Sequence, residues 1–278
     1  IIFINTDPII KKIKKLSIND YRGSHATNMK LFAEDFIPDD IKYLLYIDSD
    51  TIVTGDLRQL ENFDMKDMPV AMALDSMCRN HKQHLGFAFS DAYFNGGVIL
   101  FNMERWKDLN CTQRICEHLI TQRSHYMAPD QDLINIVLKG QIAKLDCKYN
   151  IQPMHLVYSY KKYYSLFGQP GYYTESEIQG ALENPIIFHT FRYLGEFPWH
   201  KDSLHPNKGL FDYYIEKSFW KDYEKRPTER NDFMFRTERW LYHILPQNFF
   251  VVIFKFFYGL FMWKSNRDSM EEKNNVRM

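Results

Sequence analysis

The sequence has little cysteine, no excess of either charge, and no apolar run long enough to cross a bilayer. Its 278 residues include four cysteines, Cys78, Cys111, Cys116 and Cys147. None forms a CxxC pair and no histidine stands at a zinc-finger offset from them, which argues against a zinc ribbon or a disulfide-stapled scaffold. The expectation is scattered thiols in a reducing compartment. Lys plus Arg and Asp plus Glu each number 35, so the basic balance of a nucleic-acid binder is absent and no nucleic-acid partner is expected. The longest apolar stretch, Phe249–Trp263, has 15 residues with Lys255 inside it, short of the about 20 that a spanning helix needs. No signal peptide is visible. The chain opens inside an apolar run, Ile1–Ile4, so a natural start, with any targeting segment, is expected to precede it.

What is present is a globular α/β pattern. Apolar residues make up 45% and aromatics 16%, enough to bury a sizeable core. Short apolar runs read as strands at Ile1–Ile4, Tyr43–Ile47, Val70–Leu74, Val98–Phe101 and Ile186–Phe188. They alternate little, as strands covered on both faces do. Met29, Phe32, Ala33 and Phe36 follow helical spacing, with Ser24 placed to cap and Pro38 beyond the end. A second helix is expected over about 112–123 and a third from Pro129 to a stop at Gly140. Thr174 and Glu177 form a capping-box pattern before Ile178. Strands alternating with helices predict a mostly parallel sheet flanked by helices.

Four local patterns carry chemistry. Leu44–Ile47 runs into Asp48-Ser49-Asp50, two carboxylates at a strand end, where open α/β sheets bind ligands. Such a pair can hold a hard divalent cation, Mn²⁺ or Mg²⁺, with diphosphate oxygens completing the shell; turns are also rich in aspartate. Asn95-Gly96-Gly97 opens a strand, either to let a ligand reach the backbone or to make a tight turn with positive φ. Pro129-Asp130-Gln131-Asp132 starts a helix, where acids complement the dipole and where a carboxylate and an amide can also bind sugar hydroxyls. His189 ends the run Ile186–Phe188, where it can complete a metal site or serve as an ordinary polar group.

In this order, the stretches LLYIDSDTIV, YFNGGVILFN, PDQDLIN, Tyr149-Asn150 and IIFHT…PWH resemble glycosyltransferase family 8, over about Ile1 to His200. The family contains retaining enzymes of bacterial lipopolysaccharide and capsule synthesis. The resemblance implies a GT-A-like, nucleotide-sugar-binding fold and transfer of a glucose or galactose from a UDP-sugar to a glycan or lipid-linked glycan. It implies Asp48, Asp50 and His189 as metal ligands. Lys30, Asp48, Ser49, Asp50, Asn95, Asp130 and Gln131 are implied as donor-binding, with Gln131 and Asp130 at the reacting centre and Asp75 on the acceptor side. Lys30 stands where the family usually has an arginine, and loses its fork. Asn28 replaces a usual tyrosine. Phe197 precedes Pro198 where the family has a lysine, with Arg192 a candidate substitute. The expected division is residues 1–204 as the catalytic domain, without the first strand and helix that the family has, 205–263 as a helical, basic and aromatic region whose Phe249–Trp263 stretch either lies in a membrane interface or packs on the domain, and 264–278 as a disordered tail. A cytoplasmic enzyme, peripheral on the inner face of the membrane, is the matching location. The rivals are a haloacid dehalogenase-type phosphatase, which also uses Asp-x-Asp but has no use for the other three patterns, and a nucleotide-sugar-binding pseudo-enzyme.

Overall fold

The structure, a computed structural model, describes residues 3–260 apart from 22, 123–125, 229, 231, 247–248 and 258. Its strands are β1 (Tyr43–Ile47), β2 (Thr51–Val53), β3 (Val70–Leu74), β4 (Phe94–Asn102), β5 (Ile142–Lys144) and β6 (Ile187–His189). Its α-helices are α1 (Asp7–Lys15), α2 (His81–His84), α3 (Met103–Asp108), α4 (Cys111–Thr121), α5 (Pro129–Val137), α6 (Pro153–Val157), α7 (Tyr160–Phe167), α8 (Glu175–Glu183), α9 (Lys208–Glu216) and α10 (Phe233–Ile244).

The main sheet has the order β1-β4-β3-β5, and β2 pairs with β6 in a second, two-stranded sheet. β4 is antiparallel to both its neighbours and only β3 and β5 run parallel. The sheet is therefore mixed rather than mostly parallel. Apolar runs report burial on two faces and carry no information on direction. β3 is buried throughout, and its side chains divide by size. Val70, Met72 and Leu74 join Ile99 and Phe101 of β4 in the larger core, with Ile115, Leu133, Ile134 and Tyr163 from the helices. Ala71 and Ala73 join Val98 and Leu100 in a smaller core on the other face, with Leu60, Tyr149 and Ile187. This is the period of two, hidden in the sequence because both sets are apolar.

Three segments depart from expectation. Residues 26–35 form a 3₁₀ segment with a break at Phe32 (φ −117°, ψ 27°) instead of an α-helix. Lys30, Leu31, Phe32 and Ala33 are all buried, which one stripe of an α-helix does not supply. The tighter, broken turn lets Lys30 point one way while its neighbours fill the core. Phe3 and Ile4 are exposed and not in a strand, because no strand lies beside them among the described residues to cover the run; Ile1 and Ile2 lie outside those residues. The 264–278 tail lies outside them as well. Elsewhere the reading holds: α4, α5 and α8 fall where expected, Thr174 and Glu177 close their capping box, and all four cysteines are free thiols.

The C-terminal region packs on the rest of the chain. Glu196, almost wholly buried, accepts from Arg239 of α10 and from the Leu204 N–H. A Cβ at Gly195 (φ +78°) would meet Phe235 of α10 at 3.0 Å. Residues 249–257 are helical, and Phe250 and Val251 are buried, with Phe250 edge-on to Tyr242 at 5.1 Å. The faces carrying Phe249, Val252, Phe256, Phe257 and Leu260 are exposed. No helix of the described residues is long and apolar enough to cross a membrane.

Candidate active site

The two sheets meet where the sequence places its carboxylates. β1 ends at Ile47, the chain turns through Asp48 and Asp50, and β2 begins at Thr51. Thr51 pairs directly with His189. That ladder carries the imidazole to the turn. The Thr190 N–H and hydroxyl both donate to the Asp50 carbonyl at 2.7 Å, fixing the turn from the other side. His189 Nε2 lies 3.3 Å from Asp50 Oδ1 and 3.8 Å from Asp48 Oδ2. One ligand atom from each of the three residues falls within 4.8 Å of the others.

The other ring nitrogen settles what Nε2 can do. His189 Nδ1 faces two amide oxygens, Asn95 Oδ1 at 3.0 Å and Asn150 Oδ1 at 3.3 Å. Both are acceptors, so Nδ1 carries the proton. In the neutral ring Nε2 then turns a lone pair toward two carboxylates, a repulsive arrangement for the bare protein and a matched one for a divalent cation. Without a cation, burial pushes the Asp50 carboxyl up, but it is a protonated ring whose Nε2–H hydrogen bond and charge outweigh burial and leave the Asp50 carboxyl below the ordinary carboxylate range. The donor set of two carboxylates and one imidazole fits a divalent cation.

Lys30 enters from the 3₁₀ segment, with its side chain almost entirely buried. Its ammonium reaches Asp130 Oδ2 at 2.7 Å, the Gly96 carbonyl at 2.7 Å and Asp48 Oδ1 at 3.4 Å, and lies 4.2 Å from the centre of the Tyr46 ring. Burial acts against its charge, but Asp130 and then Asp48 outweigh it and hold Lys30 charged, above the usual lysine range. Tyr46 also donates to Asp48 Oδ1. Asp48 and Asp130 thus contact one ammonium while Asp50 stands grouped with Asp48, which leaves negative charge for a cation to balance.

A second group sits beside this one. Asp75, just after β3, accepts from Asn95 Nδ2 at 3.0 Å and from Gln131 Nε2 at 3.2 Å through the same oxygen. Gln131 Oε1 accepts from the Gly96 N–H at 2.8 Å. Asn135 holds α5 in place by exchanging two 2.8 Å hydrogen bonds with the Phe94 backbone, as a neighbouring strand would. Gly96 and Gly97 have no positive φ, so the tight-turn alternative does not apply. They serve close approach: a Cβ at Gly97 would lie 2.0 Å from His189 Cε1, and one at Gly96 would lie 3.3 Å from Gln131 Cβ.

The structure therefore brings together Lys30, Asp48, Asp50, Asp75, Asn95, Asp130, Gln131 and His189. Ser49 is exposed on the turn and outside this network. Asn28 is fully buried and donates to the Asn19 carbonyl at 3.1 Å, facing the preceding loop. Arg192 lies with its guanidinium 5.2 Å from the Phe197 ring centre, and Phe197 stacks on Trp199 at 4.4 Å. Sequence reasoning missed Tyr46, Asn135 and Thr190. Tyr46 shares a strand face with Asp48 two residues on, the one signal that could have found it.

The family described as Glycosyl transferase family 8 matches residues 2–203. The lipopolysaccharide 1,2-glucosyltransferase of Escherichia coli (strain K12) is 26% identical over 204 residues, covering 72% of this chain and 56% of that protein. The lipopolysaccharide 1,3-galactosyltransferase of Salmonella typhimurium is 25% identical, covering 71% and 56%. The chain thus spans a little over half the length of these relatives. Among solved structures, the galactosyltransferase LgtC in complex with donor and acceptor sugar analogs aligns with a TM-score of 0.56 at 20% identity, over 79% of this chain and 73% of that one. The shared architecture is the GT-A fold, a mixed sheet flanked by helices.

Proposed function

The chain belongs to glycosyltransferase family 8, and from that premise we propose that it transfers a hexose, glucose or galactose, from a UDP-sugar to a glycan acceptor with retention of configuration. The observation that carries the reading is the contact between two clusters: the Asp48, Asp50 and His189 ligand set, joined through Asn95 to the Asp75 and Gln131 pair. A diphosphate and the sugar attached to it need those two environments side by side. A bound Mn²⁺ or Mg²⁺ would supply charge stabilisation for the departing diphosphate.

The chain's own residues do the rest. Asn95, Asp130 and Gln131 hold the sugar hydroxyls, each with donor or acceptor groups fixed by a neighbour. Lys30 bridges Asp130 and Asp48. Retention by double displacement would need a carboxylate nucleophile at the anomeric carbon. Gln131, an amide and a poor nucleophile, instead favours attack by the acceptor hydroxyl on the leaving-group face. The departing diphosphate then takes the hydroxyl proton, and the Gln131 carbonyl supports the oxocarbenium-like centre. Asp75 faces the acceptor side. The test is UDP release from a panel of UDP-sugars with Mn²⁺, with the product anomer read by NMR. An inverted product would overturn the front-face reading.

For the setting, we propose a lipid-linked or surface-polysaccharide acceptor met at the cytoplasmic face of a membrane. Support comes from the exposed aromatics of the C-terminal region, Phe219, Trp220, Phe233, Trp240, Phe249, Phe256 and Phe257. They stand among Lys217, Lys221, Arg236 and Lys255, a mixture that suits an interfacial surface.

A further inference from the structure

A fully buried carboxylate lies behind the sugar-facing residues and is more heavily bonded than its place in α5 requires. Asp132 closes the first turn of α5 through Oδ2, which accepts the Ala128 N–H at 3.1 Å. That contact alone would serve the helix. Its other oxygen, Oδ1, takes the Tyr93 hydroxyl proton and faces His81 Nε2 at 2.7 Å. Asp132 and Tyr93 have no exposed surface, and the His81 side chain is 12% exposed. Neither Tyr93 nor His81 belongs to the ligand set or to the sugar-facing group.

The consequence falls on Gln131. Because the Tyr93 proton is committed to Asp132, the phenolic oxygen is left as an acceptor. It receives Gln131 Nε2 at 3.3 Å. The amide nitrogen thus lies between the Tyr93 oxygen and Asp75 Oδ2, and its oxygen faces the Gly96 N–H. A flipped amide would set its oxygen against two acceptors and its NH₂ against a donor. One orientation survives, the one that fixes where the amide oxygen sits.

We propose that His81, Asp132 and Tyr93 form a positioning relay that locks the orientation of the Gln131 amide, so that the relay acts on the rate of transfer far more than on donor affinity, which Asn95 and Asp130 also supply. This rests on the glycosyltransfer reading and on the place of Gln131 within it. His81 holds the Asp132 carboxylate, the carboxylate holds the tyrosine proton, and the tyrosine oxygen holds the amide nitrogen. Misplacing a group at a reacting centre by about 1 Å costs on the order of a hundredfold in rate, so a small rotation of the amide is enough to be read.

The experiment is steady-state UDP release with Mn²⁺ for the wild type and for Tyr93→Phe, His81→Leu and His81→Gln, with melting temperature measured in parallel. Tyr93→Phe and His81→Leu are expected to lower kcat about ten- to a hundredfold, with the donor KM within about twofold. His81→Gln, whose amide can still donate to Asp132, should recover most of kcat. If Tyr93→Phe and His81→Leu keep wild-type kcat, the Asp75 and Gly96 contacts orient Gln131 unaided and the relay is wrong. Equal losses for His81→Leu and His81→Gln that follow the melting temperature would overturn it too, as a packing effect. A folded wild type that releases no UDP from any donor defeats the glycosyltransfer reading itself, and the relay with it.

Discussion

The His189 imidazole occupies the space where a side chain at position 97 would begin: a Cβ on Gly97 would lie 2.0 Å from Cε1 and 2.4 Å from Nδ1. Position 97 is glycine because the ring rests on its Cα, and not because the backbone turns there. Gly97→Ala should therefore expel the ring from its place between Asn95 and Asp50 while the buried strand around it stays paired. The expected result is loss of Mn²⁺ affinity by at least about tenfold, measured by calorimetry, with far-UV circular dichroism unchanged. Unaltered Mn²⁺ binding would mean that His189 is no ligand.

Lys30 is the sole cation in contact with Asp130 among the described residues. Lys30→Met removes the charge and keeps the volume, leaving Asp130 buried beside Asp48 without its cation. Breaking a buried pair in this way costs about 3–5 kcal/mol. Urea unfolding at pH 7 measures it, and a loss below about 1 kcal/mol would show that Lys30 does not compensate the two carboxylates.

Two histidines are buried in neutral form. Burial pushes both His155 and His205 down to about 4. His155 accepts the Gln152 N–H on Nδ1 and faces the Tyr172 hydroxyl at 2.7 Å with Nε2. Below an ordinary histidine value of about 6.5 the unfolded chain takes up protons that the native state refuses. The stability these rings contribute is complete above that value and is lost as pH falls from about 6.5 to about 4. Between pH 7 and pH 5 the loss is of order 2 kcal/mol per ring. His155→Gln, which keeps a donor and an acceptor, should remove its share of this slope in urea unfolding.

The C-terminal aromatic surface makes a separate prediction. Vesicles containing anionic lipid should sediment the wild type and leave a Trp240→Ser/Phe256→Ser/Phe257→Ser variant in the supernatant, with binding weakened by salt. All three side chains are exposed, so the fold should survive. Equal sedimentation of both proteins would remove the membrane from the proposed function.

Much of this was legible in the sequence, for identifiable reasons. Tyr43–Ile47 and Val70–Leu74 are strands at the predicted bounds, since continuous apolar runs between polar turns leave little choice. That Asp48, Asp50 and His189 come together was legible from the ordered set of motifs and the family it resembles, since each strand end taken alone fits an ordinary turn or polar group as well. Strand direction was not readable, as two-sided burial looks the same in either sense. The 3₁₀ segment at 26–35 was read as α because Met29, Phe32, Ala33 and Phe36 keep the helical period; the buried Lys30 breaks it, and its reason is Asp130, 100 residues away in sequence. Tyr93 and His81 were invisible for the same reason. Their function is a contact made through Asp132, and nothing local to either residue marks it.

The central claim is that the Asp48, Asp50 and His189 group serves a nucleotide-sugar transfer. The most direct measurement is UDP release from a UDP-hexose panel with Mn²⁺, with and without glycan acceptors, for the wild type and for an Asp48→Asn/Asp50→Asn variant. The account predicts release with one UDP-hexose, dependent on the metal and absent in the variant. Equal release by both proteins, or UDP binding without release in a folded wild type, would contradict it.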